Sequence, residues 1–327
     1  MDEQQFLNAI NAIPWEQPAG NEDYRNALLV FADWLEERGD PRAELIRLRE
    51  GLLNNPKPEQ RKVWEPKMQA LIHSSVQPIQ ATWQNSIGMT FCWCPPGKFM
   101  MGSPETEEDR EVEENQVDVT LTRGFWLGKY VVTQDEWEKV IGTKPWNDQD
   151  YVKDGPNYPA TYVSWIDAVA YVQKLTEQDQ QAGRLPKGWK YRLPTEAQWE
   201  YACRAGTTTA YSFGNDAGQL VDYAWYDQNA WNVEKRFAHA VGEKRVNGWG
   251  QHDMHGNVLE WCQDLYTHKL VGGIDPKGSQ SGTDRVDRGG SWSGIGQYCR
   301  SADRGGSYPS LRSSYQGFRV ALVPSGK

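Results

Sequence analysis

The side chains best suited to covalent or metal chemistry in this 327-residue chain are its five cysteines and five histidines. Cys92 and Cys94 lie two apart in a run that reads as a strand, so both point to one face and read as core packing. Cys203, Cys262 and Cys299 are isolated, and a free cysteine ordinarily serves as a small buried hydrophobe. Five is an odd number in a large chain, which argues against a disulfide framework. His252 and His255 lie close together, but no second pair of ligands accompanies them at a spacing that suits zinc.

The informative stretch is Arg288 to Arg319. A frame can be picked out: Arg288-Gly289-Gly290-Ser291-Trp292, Cys299-Arg300-Ser301-Ala302, Arg304, Pro309, Arg312 and Gly317-Phe318-Arg319. Between the frame residues, Ser, Gly, Ile, Tyr, Asp and Leu follow neither helical nor strand periodicity. A rigid scaffold displaying an arbitrary set of side chains has this character, which points to recognition more than to chemistry.

The elements that must position this segment read as two regions. Residues 1–76 form a helical module. Glu22 to Arg38 carries Leu28, Phe31 and Leu35 on one face and stops at Gly39. Asp40 as N-cap and Pro41 as first residue start a second helix with Leu45, Leu48 and Leu52 as its stripe. Asn54-Asn55-Pro56-Lys57-Pro58 breaks it, and Arg61 to Ile72 forms a last helix. Residues 77–86 turn polar and read as a linker.

Residues 87–327 form the second region. Met89–Cys94 and Lys98–Met101 read as strands around Pro95-Pro96-Gly97. Capping boxes at Thr133…Glu136 and Thr195…Gln198 start two helices, the second ending near Gly206, and a third runs from Ser164 to about Glu177. Short strands and turns follow. The fold class is α+β, rich in irregular loops and preceded by a small α-helical domain. Sixteen Trp and 31 Gly suit irregular backbone pinned by large aromatics.

A net charge of −9 and a sequence pI near 5.2 argue against nucleic acid and acidic membrane surfaces as partners. The acidic start MDEQQFLNAI lacks the basic and apolar regions of a signal peptide, and no stretch is apolar enough to span a bilayer. The expectation is a cytoplasmic protein.

Five ordered blocks carry a resemblance: Gly88-Met-Thr-Phe91 with Pro96-Gly97-Lys98-Phe99-Met100-Met101-Gly102-Ser103; Pro159 through Ser164-Trp165; Arg192 through Ala202; Asp253-Met-His-Gly-Asn-Val-Leu-Glu-Trp261; and Arg288-Gly-Gly-Ser-Trp292 with Gly317-Phe-Arg319. From Ile87 to Val323 the chain resembles the formylglycine-generating-enzyme (sulfatase-modifying factor) family, a variant of the C-type lectin fold. Phe31-Ala-Asp-Trp-Leu-Glu-Glu37, Gly39-Asp-Pro41 and Glu44-Leu-Ile46 resemble a short helical module at the N-termini of large multidomain bacterial proteins, for which a protein partner is expected.

Enzymes of the resembling family hold Cu(I) with two cysteines five residues apart, just after the Gly-Gly-Ser block; paired thiolates suit that soft ion. Here the second falls on Cys299 and the first on Gly294, so half the pair is missing and no copper is expected. Related iron-dependent sulfoxide synthases need a separate His-rich helical domain, whereas the N-terminal region holds only His73. The resemblance also implies a structural Ca²⁺ held by Asp253 and Glu260 side chains and by Gly256 and Val258 carbonyls. Hard oxygen ligands on a glycine-containing loop suit that ion; a hydrogen-bonded loop without metal fits the same residues.

Within the same fold, the segment is similar to the targets of diversity-generating retroelements, in which adenine-directed mutagenesis diversifies mostly Asn codons. The residues reachable that way exclude Trp, Gln, Glu, Lys and Met. Setting aside Gly296, Gln297 and Gln316, which group with the frame, every displayed position belongs to the reachable set: Ser293, Gly294, Ile295, Tyr298, Asp303, Gly305, Gly306, Ser307, Tyr308, Ser310, Leu311, Ser313, Ser314 and Tyr315. The implied variable segment spans about residues 292–316, and the missing first cysteine falls inside it. Tyr298, Tyr308 and Tyr315 are the natural contact anchors, with Ile295 and Leu311 adding apolar surface. The frame arginines are expected to hold loops through backbone carbonyls.

The resulting expectation is a non-catalytic protein binding a variable ligand, most simply another protein. A divergent copper- and oxygen-dependent oxidase and a degenerate regulatory or structural module are the alternatives.

Overall fold

The computed structural model describes residues 2–13, 20–54 and 56–325. Four helices come first: α1 (Glu3–Asn11), α2 (Gly20–Glu36), α3 (Arg42–Leu53) and α4 (Pro58–His73). α3 begins one residue later than its pattern suggests, with Pro41 and not Asp40 at the cap position; Asp40 still accepts the Arg42 amide at 2.9 Å. Gly39 takes the left-handed conformation, φ +65°, that a glycine tolerates without strain. In the break between α3 and α4, Asn55 lies outside the described residues.

These helices are not a free-standing module. Leu45, Leu48, Leu52, Met68 and Ile72 share one buried cluster with Ala210, Tyr211, Phe213, Leu220, Tyr223, Tyr226 and Cys299. Polar contacts rim it. Glu65 accepts the Thr208 amide at 2.7 Å, Gln69 donates to the Thr209 hydroxyl, and Arg61 donates to the Gly206 carbonyl at 2.8 Å. The stripe that reads in sequence as the core of a small helical domain therefore faces the second region. The stretch 77–86, read as a linker, contains strand β1 (Thr82–Gln84), which pairs antiparallel with β2 (Thr90–Cys94).

The second region holds three sheets. The five-stranded one runs β1, β2, β5 (Phe125–Gly128), β12 (Ala321–Pro324), β6 (Trp189–Arg192). The three-stranded one runs β3 (Gly97–Met101), β4 (Val117–Leu121), β8 (Gly273–Ile274), so the Pro95-Pro96 corner sends β2 and β3 into different sheets. The four-stranded one runs β10 (Arg304–Ser307), β9 (Arg285–Arg288), β7 (Leu259–Leu265), β11 (Gln316–Gly317).

Helices α5 (Gln134–Ile141), α6 (Trp165–Gln181) and α7 (Glu196–Arg204) each start with a formed capping box, at Thr133, Ser164 and Thr195. Past α7, whose left-handed cap is Ala205 rather than Gly206, only the four-residue α8 (Leu220–Tyr223) and short 3₁₀ turns are helical among the described residues. No helix among the described residues is long and apolar enough to cross a membrane.

The helical docking should make the chain unfold as one unit. Met68→Ala, at a fully buried position in the shared cluster, should lower the stability of the whole chain by about 2–5 kcal/mol. Chemical denaturation followed by both far-UV CD and tryptophan fluorescence checks this; two separate transitions would contradict it.

Candidate binding surface

The C-terminal segment is held at both ends by sheets. It leaves β9, crosses a 3₁₀ turn at Gly296–Cys299, forms the edge strand β10 against β9, and returns through β11 to β12, an inner strand of the five-stranded sheet between β5 and β6. Between these anchors the frame is buried. Trp292 is 1% exposed, and Cys299, Ser301, Ala302 and Phe318 are fully buried. Trp292 donates its backbone N–H to the Asn257 carbonyl and its indole N–H to the Ser314 carbonyl. His255, neutral because burial holds its pKa down to about 4, donates from Nδ1 to the Cys299 carbonyl at 2.8 Å while its Nε2 accepts the Ser212 amide.

The frame arginines do this work through backbone carbonyls, as expected, and also through carboxylates, which the expectation did not include. Arg288 donates through its two terminal nitrogens to the Glu200 carboxylate and to the carbonyls of Ser301, Ala302 and Asp303, while its buried Nε has no partner. Arg300 forks onto Glu114 at 2.6 and 2.8 Å and reaches Glu107 at 2.9 Å. Arg304 forks onto Glu196, and Arg312, at the surface, onto Asp167 and the Tyr162 carbonyl. Arg319 forks onto Glu260 at 2.6 Å through both Nε and Nη2.

The non-frame positions sit outside this buried layer, with two exceptions. Tyr308 is 70% exposed, Tyr298 43% and Ile295 42%. Gly306 and Ser310 are exposed, and Ser293, Gly294, Gly305, Ser307, Leu311, Ser313 and Tyr315 are half-buried. Asp303 and Ser314 are buried and so are poor candidates for direct contact. Leu311 and Tyr315 pack against core clusters rather than standing free. Sequence reading missed two aromatics here. Tyr151, 48% exposed, and Trp231 stack at 6.0 and 5.6 Å on Trp292, and neither carried a motif to betray it.

Gly294, Tyr298, Asp303 and Gly305 line one pocket of about 330 Å³ together with the fixed residues Glu111, Glu113, Tyr266 and Asp287. Burial pushes the Asp303 carboxyl up to about 7 and Asp287 up to about 6.

For thiol chemistry the geometry is unfavourable. All five cysteines are buried. Burial drives the Cys299 thiol far above its ordinary range, away from the thiolate that metal binding or nucleophilic attack needs. His252 donates from Nδ1 to the Lys244 carbonyl at 2.8 Å, a loop contact.

The residues implied for Ca²⁺ divide. Asp253 is buried with Oδ1 lacking a protein partner, and burial raises its carboxyl to about 6. Glu260 is more committed: Oε2 accepts from Trp199 Nε1 and Arg319 Nε, and Oε1 accepts from Arg319 Nη2. A carboxylate oxygen accepts two hydrogen bonds, so Glu260 retains one open lone pair on Oε1. The Gly256 carbonyl accepts the Val258 amide at 3.0 Å. The donor set fits a hard cation only with Glu260 shared between the ion and Arg319.

Irregular loops packed over short sheets, with both ends of a surface-forming segment fixed, define the C-type lectin-like fold in its formylglycine-generating-enzyme variant. Residues 77–323 match the sulfatase-modifying factor enzyme 1-like domain, and the chain belongs to that family. It is 35% identical over 219 residues to a formylglycine-generating enzyme of Thermomonospora curvata, spanning 59% of this chain and 66% of that one. It is 29% identical over 289 residues to the formylglycine-generating enzyme of Bos taurus, spanning 69% and 73%. Among solved structures, Treponema denticola variable protein 1 is similar with a TM-score of 0.64 at 27% identity, covering 76% of this chain and 100% of that one. PvdO from Pseudomonas aeruginosa is similar with a TM-score of 0.65 at 26% identity, covering 76% and 99%.

Arg319 and Glu260 are both 0% exposed, so removing one partner strands the other charge in the core. Arg319→Met should cost about 3–5 kcal/mol in urea denaturation. A loss below about 1 kcal/mol, the scale of a surface pair, would contradict the assignment.

Proposed function

We propose that this chain is a non-catalytic binding protein whose segment 292–316 is a diversified recognition surface for a variable, most simply protein, ligand. One observation carries the reading. The positions reachable from Asn codons are exposed or half-buried apart from Asp303 and Ser314, while most of the frame between them is locked in the core. The likeness to a variable protein supports it. Exposed tyrosines among serines and glycines suit such a surface, because Tyr gives broad amphipathic contact at small entropy cost. The five buried, unpaired thiols suit a reducing compartment, so we place the protein in the cytoplasm. A partner of the N-terminal helices would have to use the faces that α3 and α4 leave free.

The names of the sequence relatives favour a second reading, a copper-dependent oxidase. It requires a second thiol that Gly294 does not provide. Copper(I) titration with a cysteine-containing peptide separates the two: the binding-protein reading expects neither stoichiometric tight copper nor turnover. The surrounding DNA tests diversification directly. A reverse-transcriptase gene and an Asn-rich near-copy of the codons for Trp292 to Phe318 should lie nearby, and their absence would sink the retroelement reading.

We further propose that Asp253 and Glu260 side chains, with the Gly256 and Val258 carbonyls, hold a structural Ca²⁺, which would neutralise the buried carboxyl. The sign follows from the raised value. A carboxyl pushed from 3.8 to about 6 by folding contributes stability below the lower value and loses it as pH rises through the upper. Ca²⁺ removes that loss, so its effect on Tm should be small near about pH 5 and larger near about pH 8. Asp253→Asn should abolish the Ca²⁺-dependent part of the shift. An equal shift in that variant would rule the site out.

A further inference from the structure

The pocket under the variable segment has a fixed floor of one sign. Asp287, on β9, is 3% exposed, lines the pocket, and leaves Oδ2 without a hydrogen-bond partner. Burial pushes its carboxyl up against an opposing hydrogen bond from Ser307. Glu111 and Glu113 line the same pocket from the loop before β4. Its one cation, Arg304, is already neutralised: it forks onto Glu196 at 2.7 and 2.8 Å and lies 4.8 Å from the Tyr266 ring centroid. Arg288, next in sequence to Asp287, is fully buried and spent on Glu200.

Two displayed glycines pack directly against Asp287 and Tyr266. A Cβ at Gly305 would lie 2.3 Å from Asp287 Oδ1, and one at Gly306 would lie 2.5 Å from the Tyr266 ring. Any larger residue at 305 must push Asp287 aside or cover it. Neither glycine has a positive φ, so the backbone does not demand them.

We infer that, with glycine at 305, this pocket takes a cationic side chain of the ligand, a guanidinium or ammonium, onto Asp287 between the Tyr266 and Tyr298 rings. The aromatic walls suit such a group through cation–π contact, and the orphaned carboxylate oxygen supplies the charge-assisted acceptor. The fixed floor sets the charge of the anchor, and position 305 sets whether the anchor is open. The inference rests on reading this surface as a binding site, though not on how the surface was diversified.

The probes are N-acetyl-arginine methylamide, its neutral isostere N-acetyl-citrulline methylamide, and N-acetyl-lysine methylamide, titrated into the full chain and followed by NMR. Arginine should bind roughly tenfold tighter than citrulline, the ratio expected of one charge-assisted hydrogen bond. Asp287→Asn should erase the ratio. Gly305→Asn, which keeps every charge and is the safer variant for folding, should weaken arginine binding at least as much as citrulline binding. Equal affinities for arginine and citrulline, no measurable binding by either, or a ratio unchanged in both variants would overturn the inference. Absence of a template repeat would leave it standing, so the two readings fail separately.

Discussion

The C-terminal surface depends on arginines buried against carboxylates. Arg288 with Glu200, and Arg319 with Glu260, are each wholly removed from water. Desolvating two charges costs several kcal/mol per ion, and only good geometry with further hydrogen bonds offsets it. Both arginines draw those bonds from backbone carbonyls: Ser301, Ala302 and Asp303 for the terminal nitrogens of Arg288, whose Nε is left without a partner, and Gly128 and His252 for Arg319. Apart from Gly128, the last residue of β5, these carbonyls belong to irregular loops that no sheet ladder would satisfy. The ion pairs thus do for the loops what ladder hydrogen bonds do for strands.

This division of labour explains how patternless residues can sit in a well-ordered chain. Shape is fixed by residues pointing inward, namely the arginines, Trp292, Cys299 and Phe318. The outward residues need only be compatible with the backbone they inherit. The N-terminal helices extend the support. Glu65 and Gln69 hold Thr208 and Thr209, the Ala210 carbonyl accepts the Ser301 amide at 2.7 Å, and the Tyr211 hydroxyl reaches the Gly296 carbonyl at 3.2 Å. A continuous path of hydrogen bonds and packing therefore runs from α4 to the turn that carries Ile295 and Tyr298.

Local signals were the legible ones. The capping boxes at Thr133 and Thr195 and the stop at Gly39 are short-range chemistry and stand where the sequence puts them. The frame was legible through the family resemblance and not through residue type, since Ser and Gly occur both in it (Gly290, Ser301) and among the displayed residues (Gly305, Ser307). What could not be read was long-range pairing. Glu107, Glu114, Glu196 and Glu200 look like ordinary surface acids; the frame arginines they pair with lie about 90 to 190 residues away. Helix α7 is buried at every position, so its Glu-x-x-x-Glu pattern misleads a reader expecting a solvated face. Burial of Asp303 and Ser314 was equally hidden, because irregular backbone has no period from which to infer facing.

Two glycines in the turn show how chemistry and recognition part on one scaffold. Gly290 has φ +72°, and a Cβ there would meet Cys299 Sγ at 2.8 Å and the Tyr298 carbonyl at 2.9 Å. The fold requires that glycine. Gly294 is different: its φ is not positive, and a Cβ would find only ordinary contacts, at 3.5 Å or more, with Ser291 and Tyr298. Nothing in the backbone demands a glycine where the resembling enzymes carry their first thiol. The missing thiol is therefore not a steric consequence of this backbone. It sits in the outer layer, beside the acid-floored pocket, where the backbone leaves side-chain identity unconstrained.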